Sequence, residues 1–389
     1  MKLALLVFTL GLPALLSVIA ACPATAERTP LKKLIEYGWD TPTPEFVREH
    51  IREMEMKPFD GIMFRTQGLD HAFDTKLWDE KALNKQTEVL KAIRWGKFTD
   101  NFLVLFAANQ HGMQFANDEH WNVIEQNLRA VSKAVKDGRC VGVVFDPEPY
   151  GPNPWRWRES YGQQSYEEVA ALVRKRGEQF MRALRSSKPD IKLLTFFGIS
   201  MPLQFRPGDD VAKVQAEWPN HDWALLVPFV EGITIAAARD SVIDGNEMAY
   251  YFTGQQEFAR SRRFIVHDAL HLVQPGNAAT VARNTQAGMS VYLDQALDLR
   301  TDPQLSHFMS PRERRDMLEH NTYWALASCD EYTWFYSERM DWWNGNIPAG
   351  VESAVRSARR KISSGQPLGF DIAASVTAAR DKQTKAQEK

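Results

Sequence analysis

From residue 31 onward the chain alternates short apolar, β-branched runs with longer amphipathic stretches, and it completes this cycle eight times. Strands joined by helices in this way lie parallel and are buried on both faces, so few folds remain open. The strand candidates are Leu34–Asp40, Phe59–Arg65, Phe102–Ala107, Cys140–Asp146, Ile191–Phe197, Ser241–Asp244, Met289–Asp294 and Tyr332–Ser337. Between them lie helix candidates. The first opens at Thr43-Pro44-Glu45 and stops at Pro58; others are Glu119–Lys136, Tyr166–Arg185, Trp223–Ala237, Gln255–Leu272, Pro311–Ala327 and Pro348–Ile362. Cap residues followed by proline at the first helical position mark several of the starts. A doubly wound open sheet would show a glycine-rich turn after its first strand, and none stands there. The expected fold class is therefore α/β, a single (β/α)8 TIM barrel over residues 27–365.

The ends of the chain read differently. Lys2 is followed by an apolar run from Leu3 to Ala21 and then by small residues. This is the layout of a secretory signal peptide over residues 1–26, with Ala24-Thr25-Ala26 as the cut site before Glu27. Ile19-Ala20-Ala21-Cys22 also fits a lipobox, which would lipidate Cys22, although Pro23 sits awkwardly after it. Export is expected on either reading, to the periplasm, to the medium, or to the outer membrane as a lipoprotein anchored only through that lipid. Residues 366–389 are polar and charged and are expected to form a flexible tail.

Composition removes several function classes. With 47 Lys and Arg against 49 Asp and Glu, the formal charge is -2, and no basic block offers a nucleic-acid surface. Three cysteines are too few for a disulfide framework, and Cys140 and Cys329 read as buried thiols. No H-E-x-x-H, P-loop or G-x-S-x-G motif is present. His267 and His271 stand one helical turn apart beside Asp268, a spacing more common in surface histidines than in metal ligands. Neither a metal nor a cofactor is expected.

What remains is a concentration of polar residues at the strand ends, where a barrel of this kind gathers its reactive groups. The strongest signal is Val143-Val144-Phe145-Asp146-Pro147-Glu148-Pro149-Tyr150-Gly151. Alternation along a strand sends Asp146 and Glu148 to one side, and the flanking prolines stiffen the exit. Neighbouring like charges and burial both raise a carboxyl pKa, as a general acid requires. Glu148 is the expected acid/base, with Asp146 tuning it or positioning substrate. Glu247, Glu338 and, behind them, Asp294 are the candidates for a second carboxylate acting as nucleophile, base or charge stabiliser. Candidate substrate contacts are Trp39, Asp40, Arg65, Asn109, His111, Tyr150, Trp155, Tyr292, Trp334 and Tyr336. The plainer account of each is an internal ion pair for the charged groups and core packing for the rings.

These residues give the chain a resemblance to the (β/α)8 glycoside hydrolase superfamily. As architecture it covers the region after the signal, but as a local motif only Phe145 to Gly151. The Asn-Glu pair usual in the largest clan is replaced by Asp146-Pro147-Glu148. Barrels of the substrate-assisted hexosaminidase type end strand four with Asp-x-Glu, but here Gly142 and Val144 stand in place of their longer acidic run. The resemblance implies an exported enzyme that hydrolyses a glycosidic bond by carboxylate acid/base chemistry on a carbohydrate substrate. The alternatives are a non-catalytic glycan-binding lipoprotein on a degenerate barrel and a metal-dependent hydrolase or isomerase.

Overall fold

The structure is a computed structural model that describes residues 31–157, 161, 163–201 and 211–388. The signal-peptide and lipidation expectations, Cys22 included, lie outside these residues.

Nine parallel strand segments, all joined in one ladder, form the barrel: β1 Lys33–Glu36, β2 Gly61–Phe64, β3 Phe102–Phe106, β4 Gly142–Asp146, β5 Lys192–Thr195, β6 Val242–Asp244, β7 Thr285–Ala287, β8 Met289–Tyr292 and β9 Tyr332–Tyr336. The last two segments before β9 are one stave interrupted at Gly288. β7 pairs with β6 and β8 pairs with β9, while β1 pairs with both β2 and β9. Eight staves thus close on themselves. Gly288 sits at the seam because a Cβ there would lie 2.8 Å from the Asp244 carbonyl oxygen, to which its own N–H donates at 2.7 Å.

The helices follow their sequence signals. Thr43 caps Pro44–Met54, and Ser165 and Ser310 form capping boxes with Glu168 and Glu313 ahead of Tyr166–Leu184 and Pro311–Ser328. Some elements depart from expectation. A helix at Glu80–Ala92 fills the gap between β2 and β3. The stave expected to run to Asp294 stops at Tyr292, and Asp294 lies on a short helix, Leu293–Leu297. The tail is also structured: Ala373–Gln387 is a helix that buries Val376 and Ala379 with Ile372 against Leu305, Met309 and Met317. Three apolar residues at i, i+4 and i+7 are enough to dock an otherwise polar helix.

Strand alternation sorts the side chains into two cores. Outward, Phe145 packs on Phe180 and Phe229 of the helical layer, with Trp121 and Trp155 around Phe229. Inward, Trp334 stacks on Phe196 at 4.4 Å between centroids and 19° between planes, and Tyr37 closes over both. Each such ring contributes on the order of 2 kcal/mol through burial. At the N-terminal end of the barrel, charges are matched across its width. Lys33 meets Asp100 at 2.8 Å and Lys192 meets Glu331 at 2.6 Å. The Tyr332 hydroxyl joins the two pairs, donating to Asp100 at 2.7 Å and accepting from Lys192 at 2.7 Å. Cys140 and Cys329 are buried and unpaired with one another.

Candidate active site

Each acidic loop at the C-terminal end of the barrel is built from two carboxylates with different jobs. Asp146 ends β4 and is almost fully buried. One of its oxygens accepts the Glu148 backbone N–H at 2.9 Å, and the other accepts the Tyr150 hydroxyl at 3.2 Å. Asp244 ends β6; it accepts the Ser200 hydroxyl at 2.5 Å, the Ser200 N–H at 2.7 Å and the Asn246 N–H at 3.1 Å. Asp294 accepts the Ser337 hydroxyl at 2.6 Å and the Glu338 N–H at 2.8 Å. In all three cases a buried aspartate fixes the backbone of a loop that carries a glutamate: Glu148, Glu247 or Glu338. Asn246 takes a left-handed conformation, φ 49°, to turn the chain from β6 toward Glu247, whose N–H is held by the Phe196 carbonyl at 3.0 Å.

The three glutamates face one recess of about 200 Å³, together with Asp146. Its floor and walls are aromatic: Tyr37, Phe196, Tyr250, Tyr292 and Tyr336, with Tyr250 and Tyr336 stacked at 5.6 Å and 9°. Such a lining removes water without replacing its charge stabilisation. Burial accordingly pushes the Asp146 carboxyl up to about 7, with the Glu148 charge adding to it against the two hydrogen bonds. Burial likewise pushes Glu247 up to about 8, with the Glu148 and Asp146 charges adding to it. Glu338 accepts the Tyr292 hydroxyl at 2.9 Å.

The recess opens into a larger cavity of about 1240 Å³ that shares Tyr37, Glu148, Tyr150, Tyr336 and Glu338 with it. This cavity runs toward β2 and β3 past Trp39, Arg65, Asn109 and His111. A third hollow of about 830 Å³ continues from His111 along Asn117 and Pro152. The result is a long groove that leads to a small recess at the centre of the barrel mouth.

The structure separates the sequence candidates into those that reach this groove and those that do not. Trp39, Arg65, Asn109, His111, Tyr150, Tyr292 and Tyr336 line it. Trp155 does not: it is completely buried, and its Nε1 donates to the Pro147 carbonyl at 2.7 Å, so it props the Asp146-Glu148 loop from behind. Trp334 is also completely buried, with Nε1 on the Gly245 carbonyl at 2.8 Å, and supports the floor. Asp40 turns away from the groove and accepts the Trp342 N–H at 2.8 Å. Burial raises both its carboxyl, to about 6, and that of Glu36, well above its usual value, and as neighbours Asp40 raises Glu36 while Glu36 lowers Asp40. Asp294 is fully buried, with both oxygens occupied, and acts on Glu338 through the backbone. His267 and His271 lie 6.4 Å apart between ring centroids, His267 with its Nδ1 on Asp268.

Several groove residues carried no clear sequence signal. Tyr37 shares parity with Ile35 on β1, and Tyr250 follows Glu247 by one helical turn, so both were in principle readable as inward-facing. His71 and Arg300 come from long connections with no periodicity to place them.

No protein-family model matches the chain, and no curated protein matches it. Among solved structures, a glucosidase from Croceicoccus marinus superposes at a TM-score of 0.44 with 9% identity, covering 86% of this chain and 68% of that one. The endo-β-mannanase/endo-β-glucanase of Prevotella bryantii gives 0.45 with 10% identity, over 85% of this chain and 48% of that one. A 2-naphthoyl-CoA reductase complex gives 0.42 with 11% identity, over 86% and 50%. This chain therefore spans about half the length of the last two. A likeness of this size, shared by glycan-cleaving enzymes and a reductase, carries no inference about activity. The closed parallel ladder itself makes the chain a (β/α)8 barrel.

Proposed function

We propose that the chain is a glycoside hydrolase whose working pair is Glu148 and Glu247, acting on a carbohydrate held in the groove. One observation carries this reading: three glutamates converge on a small aromatic recess in which burial and mutual repulsion keep Glu247 protonated at neutral pH. Cleaving a glycosidic bond requires a proton for the leaving oxygen and a carboxylate for the opposite face of the sugar. The raised pKa of Glu247 moves the acid role from Glu148, where the motif alone put it, to Glu247. Glu148 then takes the other role, as nucleophile or as base for water, and it is one of the groups that raise the Glu247 pKa. Asp146 holds the Glu148 loop in place. Glu338, tied to the Tyr292 hydroxyl in the same recess, is assigned the electrostatic stabilisation of the positive charge that develops on the ring. Export, on the strength of residues 1–26, would place this activity outside the cytoplasm.

Two variants assayed on two leaving groups test the assignment. Glu247→Gln should lose little on an aryl glycoside whose phenolate leaves unaided, and orders of magnitude on the natural alkyl linkage. Glu148→Gln should lose both. Equal losses on both substrates for Glu247→Gln would remove it as the acid. Tight binding of glycans with no turnover of any would return the chain to the non-catalytic, glycan-binding reading.

A further inference from the structure

Among the described residues the groove carries two arginines, and they are provided for very differently. Arg65 donates its Nε to Asp70 at 2.8 Å, and the Asp70 carboxylate is almost wholly buried beneath it, so much of that charge is already answered within the protein. Arg300 lines the central recess with its guanidinium 5.5 Å over the Tyr292 ring centroid. Among the described residues it makes no hydrogen bond and no ion pair. Nearby acids are committed elsewhere. Asp298, two residues back, is held by Arg314 at 2.6 Å and by His307 at 3.2 Å. Glu338, inside the recess, takes the Tyr292 hydroxyl rather than the guanidinium. The backbone beside Arg300 is fixed, because Asp298 takes a left-handed turn at φ 58° and the Leu299 N–H is held by the Asp294 carbonyl at 3.1 Å. A charge that never titrates is thus aimed into a small aromatic recess with no counter-charge of its own.

Resting on the glycosidase reading above, we propose that the sugar bound in the recess carries an anionic substituent, a uronic acid carboxylate, and that Arg300 is the residue that selects it. A guanidinium fork matches a planar carboxylate with two parallel hydrogen bonds, which a hydroxyl cannot return. At pH 7 Glu247 is mostly protonated and Asp146 about half protonated, which reduces the negative charge that an anion meets in the recess. Tyr292 holds the two sides together: its ring lies under Arg300 and its hydroxyl donates to Glu338.

The test is titration calorimetry of the full chain with free monosaccharides, which need no turnover: D-glucuronate and D-galacturonate, their parents D-glucose and D-galactose, and D-glucose 6-sulfate. The uronates should bind about tenfold more tightly than the parent hexoses, a difference of ~1.4 kcal/mol. Arg300→Gln should erase that preference by weakening the uronates far more than the hexoses, and Arg300→Lys should restore part of it. Stronger binding of the sulfate than of either uronate would overturn the carboxylate assignment. Equal binding of uronates and hexoses, equal weakening of both by Arg300→Gln, or no detectable uronate binding overturns the proposal outright. Hydrolysis without uronate preference would sink this inference alone, whereas uronate selection without hydrolysis of any glycan would sink the glycosidase reading alone.

Discussion

The two ends of the barrel both bury acids and treat them in opposite ways. At the N-terminal end burial pushes the Asp100 carboxyl up, but Lys33, Thr99 and Tyr332 outweigh it, and the pKa ends below the usual value. In the central recess at the C-terminal end burial meets no cation in ion-pair contact with the acids. Asp146 and Glu247 rise to about 7 and about 8, and none of Asp146, Glu148, Glu247 or Glu338 has an ion-pair partner among the described residues. Desolvation is common to both ends; the counter-charge is not. An acid left without a partner costs folding free energy, and a fold retains such acids where their proton chemistry is used. On the proposed function, the N-terminal end serves stability and the C-terminal end reaction, a division expected of a barrel and here traceable to individual pairs.

The division can be broken most directly by removing one acid from each end. Glu148→Gln should lower kcat by at least ~10³-fold with the melting temperature nearly unchanged, because the residue supports no packing that glutamine cannot keep. Asp100→Asn should do the reverse. It leaves Lys33 partly buried without its carboxylate and should destabilise the chain by roughly 2–4 kcal/mol, read by urea or thermal unfolding. Activity per folded molecule should stay at the wild-type level. Loss of activity in folded Asp100→Asn protein would show that the ends are coupled.

The pH dependence of stability sharpens the same contrast. Asp146 and Glu247 hold their protons more tightly folded than unfolded, so between about pH 4 and pH 8 the folded chain carries the excess protons. Their contribution therefore makes stability fall as pH rises across that window. Asp100 works with the opposite sign: its stabilisation is present above its unfolded value of 3.8 and is lost as pH drops through its lower folded value. Glu247→Gln should match the wild type near pH 4 and exceed it by roughly 1–2 kcal/mol at pH 8. A variant whose stability parallels the wild type at every pH would show that Glu247 titrates normally.

How much of this could be read from the residues alone follows from which interactions are local. The barrel was legible because strand and helix periodicities are properties of short stretches, and so was the Asp146-Pro147-Glu148 exit. Asp294 shows where such reading stops. As a strand-end acid it stood as a candidate behind Glu247 and Glu338, but the chain turns into a helix after Tyr292, and the Asp294 oxygens meet Ser337 and Glu338 from a neighbouring loop. The tryptophans teach the same lesson. Trp155 follows the acids at the spacing of a sugar platform, yet its environment is set by Phe229 and Pro147, which sequence distance does not reveal. The tail helix was missed because its three buried side chains are too few to stand out in a polar segment.

The smallest effect separates two tryptophans and tests the groove itself. Trp39 is 67% exposed, with its backbone N–H on the Ser337 carbonyl at 2.9 Å and its Nε1 on the Tyr336 hydroxyl at 3.0 Å. Its face is therefore held in place at the edge of the large cavity without being packed. A ring presented in that way can stack on the C–H face of a sugar at little entropic cost. Trp39→Ala should raise KM several-fold, equivalent to about 0.5–1.5 kcal/mol of binding, and change stability by less than ~0.5 kcal/mol. Trp155→Ala, from a fully buried position, should instead cost about 3–5 kcal/mol of stability. If Trp39→Ala lowers the melting temperature and leaves KM untouched, the ring is part of the fold's own packing, and the groove loses the wall on which a glycan chain would lie.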